Sequence, residues 1–343
     1  MTNMTNSIDR RRFLQGTAAA TAGLALSRAG LAQDNAPAKL YEISLAQWSL
    51  NRQFFSFLGR GRGSATEKLD PQDFPIIAKK EFGIQGVEYV NQFYMDAVKK
   101  PGYLDELKKK SDGEGVRNVL IMCDSEGNLG DPDAKRRITS VRNHIKWLEW
   151  AQALGCHSIR VNARSDENLS YGEQMKLAAD GLRKLSEIGD TYDLNVIVEN
   201  HGGLSSHGRW LVGVMEMVDH PRCGTLPDFG NFRGVAGGRG AGSRRGADQR
   251  GARRGAGSVD YDRYLGVYEL MPYAKGASAK TYAFDEKGNE TTMDYRRIMS
   301  IVCDPQFKFE GYVGVEFEGG GDSIDGVKKT KALLERIRDE LSA

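Results

Sequence analysis

Asn195-Val196-Ile197-Val198-Glu199-Asn200-His201 is a short apolar run that leads directly into polar residues. Two later stretches repeat this arrangement, with Thr225-Leu226-Pro227 leading into Asp228 and Val313-Gly314-Val315 leading into Glu316-Phe317-Glu318. Apolar runs rich in β-branched residues are typical of parallel strands that are covered on both faces. A single carboxylate after such a run is as well explained by a helix N-cap or a solvated loop. Three carboxylates in the same position favour a shared site.

Five more apolar runs extend the pattern to eight predicted strands, and each strand is followed by a helical segment. The predicted strands are Ile43–Leu50, Gly86–Gln92, Val116–Asp124, Ser158–Asn162, Asn195–His201, Gly224–Phe229, Gly276–Tyr282 and Tyr312–Glu318. The predicted helices are Pro71–Lys80, Tyr103–Lys110, Pro132–Leu154, Tyr171–Tyr192, Gly208–Val218, Tyr261–Met271, Asp294–Cys303 and Ile324–Leu341. Strictly alternating strands and helices predict parallel pairing, and eight repeats predict a single-domain α/β fold, the (β/α)₈ TIM barrel. In such barrels the reacting groups lie at the carboxyl ends of the strands.

Length and composition agree with one soluble domain. The chain has 343 residues, of which 40% are hydrophobic and 27% are charged, the ordinary mix of a globular protein with a sizeable core. Membrane and fibrous classes are excluded on this basis. The four cysteines are widely spaced and form no C-x-x-C pair, so we expect free thiols and no zinc ribbon.

The N-terminal sequence has the pattern of an export signal. The segment Asp9-Arg10-Arg11-Arg12-Phe13-Leu14-Gln15 resembles the twin-arginine consensus, and Gly30-Leu31-Ala32 is a small-residue cleavage site before Gln33. We therefore expect residues 1–32 to be a signal peptide, read by the twin-arginine export machinery, that leaves a periplasmic or secreted protein without a stable membrane anchor. The alternative is a basic tail on a cytosolic protein.

A Gly/Arg-rich segment, Arg233–Gly257, interrupts the pattern after the sixth strand. It holds nine Gly and seven Arg residues and almost no apolar side chain, so it predicts a disordered insertion into a barrel that otherwise spans residues 40–343. An Arg/Gly tract can bind RNA. However, residues 1–32 carry a net charge of +3 and residues 233–257 one of +6, which leaves −7 on the rest of a chain whose formal net charge is +2. An acidic body argues against a nucleic-acid partner.

Three motifs in a fixed order resemble one enzyme superfamily: Val198-Glu199-Asn200-His201-Gly202-Gly203, Asp228-Phe229-Gly230-Asn231 and Gly314-Val315-Glu316-Phe317-Glu318-Gly319. Together they are similar to the xylose-isomerase-like sugar isomerases and epimerases over residues 40–343. The resemblance implies a TIM barrel and one divalent metal ion, Mn²⁺ before Mg²⁺, Co²⁺ or Zn²⁺, held by Glu, Asp, His and Glu from strands five to eight.

The resemblance assigns Glu199, Asp228 and Glu316 to the three carboxylate ligands. The fourth ligand departs from the pattern, because Ser278 stands where family members usually have His, while Lys280, two residues later, is kept. Strand side chains alternate, so His201 faces the same side as Glu199 and is either a substitute ligand or a substrate contact.

The chemistry that the resemblance implies is removal of a proton from the carbon next to a carbonyl group. Glu199 and Glu316 are the expected acid/base pair, Lys280 is expected to stabilise the developing oxyanion, and His201 is a further catalytic candidate. A Lys280 that only pairs with a carboxylate is the alternative for that residue. By strand alternation Glu318 faces the same way as Glu316 and could replace it as a ligand.

Polar groups at other strand ends predict how a sugar is held. We expect Trp48, Glu88, Asn162 and Glu318 to contact the substrate. Export favours a neutral sugar, a keto-sugar or a glycoside over a sugar phosphate, which is an intracellular compound. No Gly-rich phosphate loop is evident apart from Gly202-Gly203.

Three other functions are alternatives. The same site could act as a β-eliminating lyase on 3-keto-glycosides. A phosphodiesterase of the apurinic-site endonuclease type needs several His ligands, which five scattered histidines do not provide. The third is a non-catalytic periplasmic sugar-binding barrel. The sequence leaves open which sugar is bound and whether the chain forms a homo-oligomer.

Overall fold

The structure is a computed structural model, and it describes residues 39–60, 67–232 and 261–343. Its strands are β1 (Glu42–Ala46), β2 (Gly86–Val90), β3 (Arg117–Met122), β4 (Ser158–Val161), β5 (Asn195–Glu199), β6 (Cys223–Leu226), β7 (Ala277–Thr281) and β8 (Tyr312–Phe317). Its helices are α1 (Asn51–Phe57), α2 (Phe74–Phe82), α3 (Tyr103–Gly113), α4 (Ala134–Leu154), α5 (Tyr171–Thr191), α6 (Gly208–Val218), α7 (Arg263–Leu270), α8 (Tyr295–Val302) and α9 (Ser323–Ser342). The predicted signal peptide, residues 1–32, and the predicted insertion, residues 233–257, lie outside the described residues.

The eight strands form one parallel sheet that curls into a barrel. The strand order is β6-β5-β4-β3-β2-β1-β8-β7, and neighbouring strands in this order are hydrogen-bonded. Two parallel bridges, Thr225 with Ala274 and Asp228 with Ser278, join the β6 and β7 sides. The predicted single-domain (β/α)₈ barrel is therefore confirmed, and the carboxyl ends of all eight strands meet at one mouth.

The apolar runs became strands because both of their faces are covered. All five residues of β2 and of β7 are buried, as expected for parallel strands between a barrel interior and a layer of helices. The helices start at polar caps that the sequence supplies. Asp133, Asp294 and Asp322 accept backbone N–H groups at the starts of α4, α8 and α9, and Ser170 forms a capping box with Glu173 at α5.

Several strands end before their predicted limits, and α1 was not predicted. β1 stops at Ala46, and the next side chain bonds to the end of the neighbouring strand β2 and the turn after it: Gln47 accepts from the Val90 backbone N–H at 2.9 Å and donates to the Tyr94 hydroxyl at 2.8 Å. Leu50 and Phe54 then pack into the core from the turn and from α1. An apolar run does not reveal such a change from strand to helix.

The four cysteines are free thiols, three of them buried. Among the helices of the described residues, none combines the length and the apolar character needed to cross a bilayer.

Candidate active site

A cavity of about 510 Å³ opens at the carboxyl ends of the strands. Seven of the residues that the sequence singled out line it: Trp48, Asn162, Glu199, His201, Lys280, Glu316 and Glu318. Two others, Glu88 and Asp228, do not line its wall and are fully buried. The structure thus gathers most of the predicted residues around one space.

The ammonium group of Lys280 lies at the centre of a carboxylate cluster. Its Nζ atom is 3.1 Å from Asp228 Oδ2, 3.2 Å from Glu316 Oε1 and 3.4 Å from Glu318 Oε2, which are ion-pair distances. The register of β7 against β8 sets this geometry, since Lys280 is the direct strand partner of Glu316. Burial by itself would lower the pKa of Lys280, but the carboxylates outweigh it and raise that pKa well above its usual value.

Ser278 links two of these carboxyl groups. Its Oγ atom lies 2.8 Å from Glu316 Oε2 and 3.2 Å from Asp228 Oδ2. A hydroxyl carries one proton, so it donates to one carboxylate and satisfies the second contact only if that carboxyl group is protonated. Burial raises the pKa of Asp228 well above its usual value and also raises the pKa of Glu316. Asp228 and Glu316, which the Ser278 hydroxyl links, are thus two carboxyl groups whose pKa values are both raised by burial.

Glu199 occupies a different electrostatic environment across the cavity. Its Oε2 atom lies 2.9 Å from Arg160 Nε in an ion pair that lacks the angle of a hydrogen bond, and its Oε1 atom accepts from the Asn231 side chain at 2.8 Å. Arg160 also donates to Asp124 at 3.0 Å. Burial opposes ionisation, but Arg160, together with His201 and Lys280, outweighs it and the pKa of Glu199 is lowered. The pKa of Glu199 is therefore shifted in the opposite direction to those of Asp228 and Glu316.

His201 is fixed in one tautomer by its neighbours. The Asn162 side-chain N–H group donates to Asp124 Oδ1 at 2.7 Å, which leaves the amide oxygen to face His201 Nδ1 at 3.1 Å. Nδ1 must then carry the proton, and Nε2 is a free acceptor. Burial, together with the nearby Arg160, lowers the pKa of His201, so the imidazole is neutral at pH 7.

Trp48 and Glu318 form one side of the rim. The indole N–H group donates to Glu318 Oε1 at 2.5 Å, and the indole ring stacks on Phe93 with centroids 6.4 Å apart. Gln92 and Asn128 also line the cavity, from loops that follow β2 and β3. Asn128 has no sequence signal, because loop residues follow no periodic pattern, whereas Gln92 ends the predicted strand Gly86–Gln92 and alternates to the same side as Glu88.

Arg160 and Asn231 also contribute to the site, and strand alternation predicts that Arg160 projects towards the mouth together with Asn162. Arg160 is a charged residue inside the apolar strand β4 and alternates with Asn162 towards the barrel interior. Asn231 belongs to a motif that was quoted for Asp228, but no role was assigned to it. Their contacts with Glu199 depend on how neighbouring strands and loops are placed, which spacing along one strand does not report.

Glu88 lies inside the barrel below the cavity. It is 1% exposed and accepts a hydrogen bond from the Ser44 hydroxyl at 2.5 Å. Burial raises its pKa to about 8, with the nearby Glu316 and Glu199 adding to the rise against the Ser44 hydrogen bond. Gly314 makes room for it, since a Cβ atom there would come within 2.6 Å of Glu88 Oε1. Its predicted role as a substrate contact is not matched by a position on the cavity wall.

The residues in this arrangement do not fit a divalent metal ion, although their oxygen atoms suit a hard cation. The ammonium of Lys280 already lies among Asp228, Glu316 and Glu318, and Glu199 is engaged by Arg160 and Asn231. Within residues 39–60, 67–232 and 261–343, no three His, Cys, Asp or Glu side chains are grouped so that they could hold a metal ion.

Comparisons with known proteins identify a family and similar solved structures. The model of a family described as xylose isomerase-like TIM barrel matches residues 77–340. No curated protein matches the chain. Among solved structures, 3-keto-D-glucoside 4-epimerase from E. coli is 13% identical with a TM-score of 0.59, over 87% of this chain and 99% of its own.

Two other solved structures are similar to the same extent. D-psicose 3-epimerase from Clostridium cellulolyticum H10, solved with D-tagatose, is 11% identical with a TM-score of 0.59, over 87% of this chain and 98% of its own. A xylose isomerase-like TIM barrel protein from Mycobacterium smegmatis, in complex with magnesium, is 13% identical with a TM-score of 0.59, over 87% of this chain and 97% of its own. Identities this low establish a shared fold.

Proposed function

Because the chain belongs to the xylose isomerase-like TIM barrel family, we propose that it is a sugar isomerase or epimerase that moves a proton at the carbon next to a carbonyl group. One observation carries the proposal. Glu199 and Glu316 line the same cavity, and their pKa values are shifted in opposite directions. Carboxyl groups whose environments separate their pKa values are typical of an acid/base pair.

In the proposed reaction Glu199 is the base and Glu316 is the acid. Glu199, whose pKa is lowered, takes the proton from the substrate carbon, while Glu316, whose pKa is raised by burial, returns a proton to the other face. The two residues come from β5 and β8, which are separated around the barrel by β6 and β7. They therefore reach the substrate from different sides, as inversion at one carbon requires.

Lys280 supplies the positive charge for the intermediate. Its ammonium lies 3.2 Å from Glu316 and lines the cavity, so an enediolate oxygen bound there meets a fixed cation in a site shielded from water. Catalysis by this arrangement needs Lys280 to be charged, which the surrounding carboxylates ensure.

The wall of the cavity favours a neutral substrate. Four acidic side chains, Asp124, Glu199, Glu316 and Glu318, face three basic ones, Arg160, Arg164 and Lys280, so no strong excess of positive charge is present to bind a phosphate. The amide groups of Gln92, Asn128 and Asn162 suit sugar hydroxyls. We therefore propose a free sugar, a keto-sugar or a glycoside as the substrate.

Deuterium exchange tests the reaction across a panel of candidate sugars. Purified protein is incubated in D₂O with free hexoses, 3-keto-sugars and 3-keto-glycosides, and deuterium at one carbon is read by NMR. Glu199→Gln and Glu316→Gln should each lower the exchange rate by about 10²- to 10⁴-fold. Glu42→Gln, at the exposed amino end of β1, is the matched control and should leave the rate unchanged. Full exchange by Glu199→Gln would refute its role as the base.

β-Elimination on 3-keto-glycosides is the second candidate. It is supported by the raised pKa of Glu316, which suits an acid that protonates a leaving-group oxygen, and by the E. coli neighbour, whose name states a 3-keto-D-glucoside. Release of the aglycone, in place of a deuterated epimer, identifies elimination. Binding of the sugars with neither product would favour the non-catalytic sugar-binding barrel.

We also propose that the enzyme is exported. The twin-arginine pattern at Arg10-Arg11 and the cleavage site before Gln33 support this. In a host with a twin-arginine pathway, the mature protein should begin at Gln33 and fractionate with the periplasm or medium, and Arg10→Lys with Arg11→Lys should retain the precursor in the cytoplasm. Unchanged export of this double variant would contradict the assignment.

A further inference from the structure

We propose that the ammonium group of Lys280 is the built-in cation of this site and takes the place of a divalent metal ion. The inference concerns the same cavity as the proposed function, but its test measures metal binding and does not depend on turnover.

The position of Lys280 is the first argument. Its side chain is 3% exposed, and its Nζ atom lies within 3.4 Å of oxygens from Asp228, Glu316 and Glu318. A second cation that used the same oxygens would lie within a few ångströms of the ammonium, with little water between them to screen the repulsion. Lysine and metal are therefore competing occupants of one position.

Ser278 also favours an arrangement without a metal ion. A hydroxyl at this position lies within hydrogen-bond distance of both Asp228 and Glu316 and links the two carboxyl groups. It offers a metal a weaker donor than the imidazole that the family resemblance led us to expect there. The same side chain thus removes a ligand and stabilises the arrangement without a metal.

Independently of these charges, Gly230 leaves room for the methylene groups of Lys280. A Cβ atom at Gly230 would lie 2.9 Å from Lys280 Cδ and 3.0 Å from Lys280 Cγ. The backbone after β6 therefore packs directly on the methylene groups of Lys280. Asn231, next along the chain, contacts both the ammonium at 3.4 Å and Glu199 at 2.8 Å, so this segment accommodates the lysine and ties it to the opposite carboxylate.

Titration with Mn²⁺ tests the inference. Wild-type protein, stripped with chelator and dialysed, should bind less than a tenth of an equivalent at 100 µM Mn²⁺ when free Mn²⁺ is followed by electron paramagnetic resonance. Lys280→Met keeps the length of the side chain but removes its charge, so it should bind one equivalent, on the order of 100-fold or more tightly than wild type. Lys275→Met, a lysine just before the amino end of β7, is the matched control and should behave as wild type.

The loss of a buried charge can unfold Lys280→Met, so its melting temperature is measured with and without Mn²⁺. Recovery of a folding transition by Mn²⁺ counts as binding and supports the inference. If the variant folds in neither condition, the wild-type titration decides.

One equivalent of Mn²⁺ on wild type below 100 µM would overturn the inference, as would a folded Lys280→Met that binds none. Absence of deuterium exchange by wild type both without metal and with added Mn²⁺ would remove the proposed function and leave this inference standing, whereas exchange that appears only with Mn²⁺ would overturn the inference. Exchange that persists in excess chelator is expected if both hold.

Discussion

The tautomer and the charge of His201 are set by its neighbours. Asp124 orients the Asn162 side chain, and the Asn162 amide oxygen in turn fixes which nitrogen of the imidazole carries the proton. Burial lowers the pKa of the ring and keeps it neutral. The free Nε2 atom can then accept a proton or a sugar hydroxyl at the cavity wall. The sequence predicted that His201 shares a side with Glu199, but a tautomer depends on contacts between strands.

We predict that Asn162→Ala releases this tautomer. Without the amide acceptor the proton should distribute between Nδ1 and Nε2, and the rate of deuterium exchange should fall by about 10- to 100-fold, the usual effect of losing an orienting partner. Long-range ¹H–¹⁵N spectra of the imidazole report the tautomer directly. Asn195→Ala, at the amino end of the barrel, should change neither. An unaltered His201 spectrum in Asn162→Ala would contradict the assignment.

Glu88 gives a prediction for stability against pH. Its pKa is raised by burial from 4.5 to about 8, so the folded state binds this proton more tightly than the unfolded state does. The stabilisation is complete below pH 4.5 and is lost as the pH rises towards 8, by about 1.4 kcal/mol per pH unit and about 5 kcal/mol in total.

Glu88→Gln removes this dependence, because an amide of the same shape does not titrate. The difference in unfolding free energy between the variant and wild type should therefore move in favour of the variant between pH 5 and pH 8. Urea unfolding of both proteins across this range is the measurement. Parallel stability curves would show that Glu88 is ionised in the folded protein.

At the scale of the element, β7 shows what strand periodicity reports and what it omits. Alternation predicts that Ser278 and Lys280 face the same side of the strand. It does not predict that Lys280 meets three carboxyl groups, because that depends on the register of β7 with β8 and on the bridge between Asp228 and Ser278 that closes the barrel. Strand alternation alone therefore does not decide between a catalytic Lys280 and one that only pairs with a carboxylate.

We predict that Gly230→Ala disturbs this element. The new Cβ atom would meet the stem of Lys280 at 2.9 Å and the Tyr282 hydroxyl at 2.6 Å, so the lysine must move. Overpacking of this kind costs about 1–3 kcal/mol of unfolding free energy, which urea unfolding measures. Gly172→Ala in the first turn of α5 is the control, since its Cβ atom meets nothing within 4 Å. Equal stability of the two variants would contradict the close packing on Lys280.

At the scale of the whole molecule, the sequence predicted the barrel because every strand is a compact apolar run. The predicted strands overlap all eight observed ones, and the larger differences lie at the carboxyl ends, as at Ala46 and Glu199. There the backbone leaves the sheet to form the cavity: the His201 N–H group, for example, donates to the Ser205 hydroxyl at 3.1 Å. The chain is least regular where the site is built, so periodicity is least informative there.

We predict that the Gly/Arg-rich insertion is dispensable for folding. The residues that flank it, Phe232 and Tyr261, stack with ring centroids 6.2 Å apart, so a short Gly/Ser linker can replace residues 233–257 without pulling on the barrel. The melting temperature should stay within a few degrees of wild type in thermal unfolding. A collapse of stability, or lost exchange activity in a folded variant, would show that the segment packs on the barrel or covers the cavity.

The indole of Trp48 makes ligand binding visible in the unmodified protein. The chain has four tryptophans, and Trp147, Trp150 and Trp210 are buried, whereas Trp48 lines the cavity and donates its N–H group to a carboxylate. A sugar that displaces Glu318 from the indole changes the polarity around Trp48 and therefore its contribution to the fluorescence. Intrinsic fluorescence can therefore rank candidate ligands by affinity before any product has been identified.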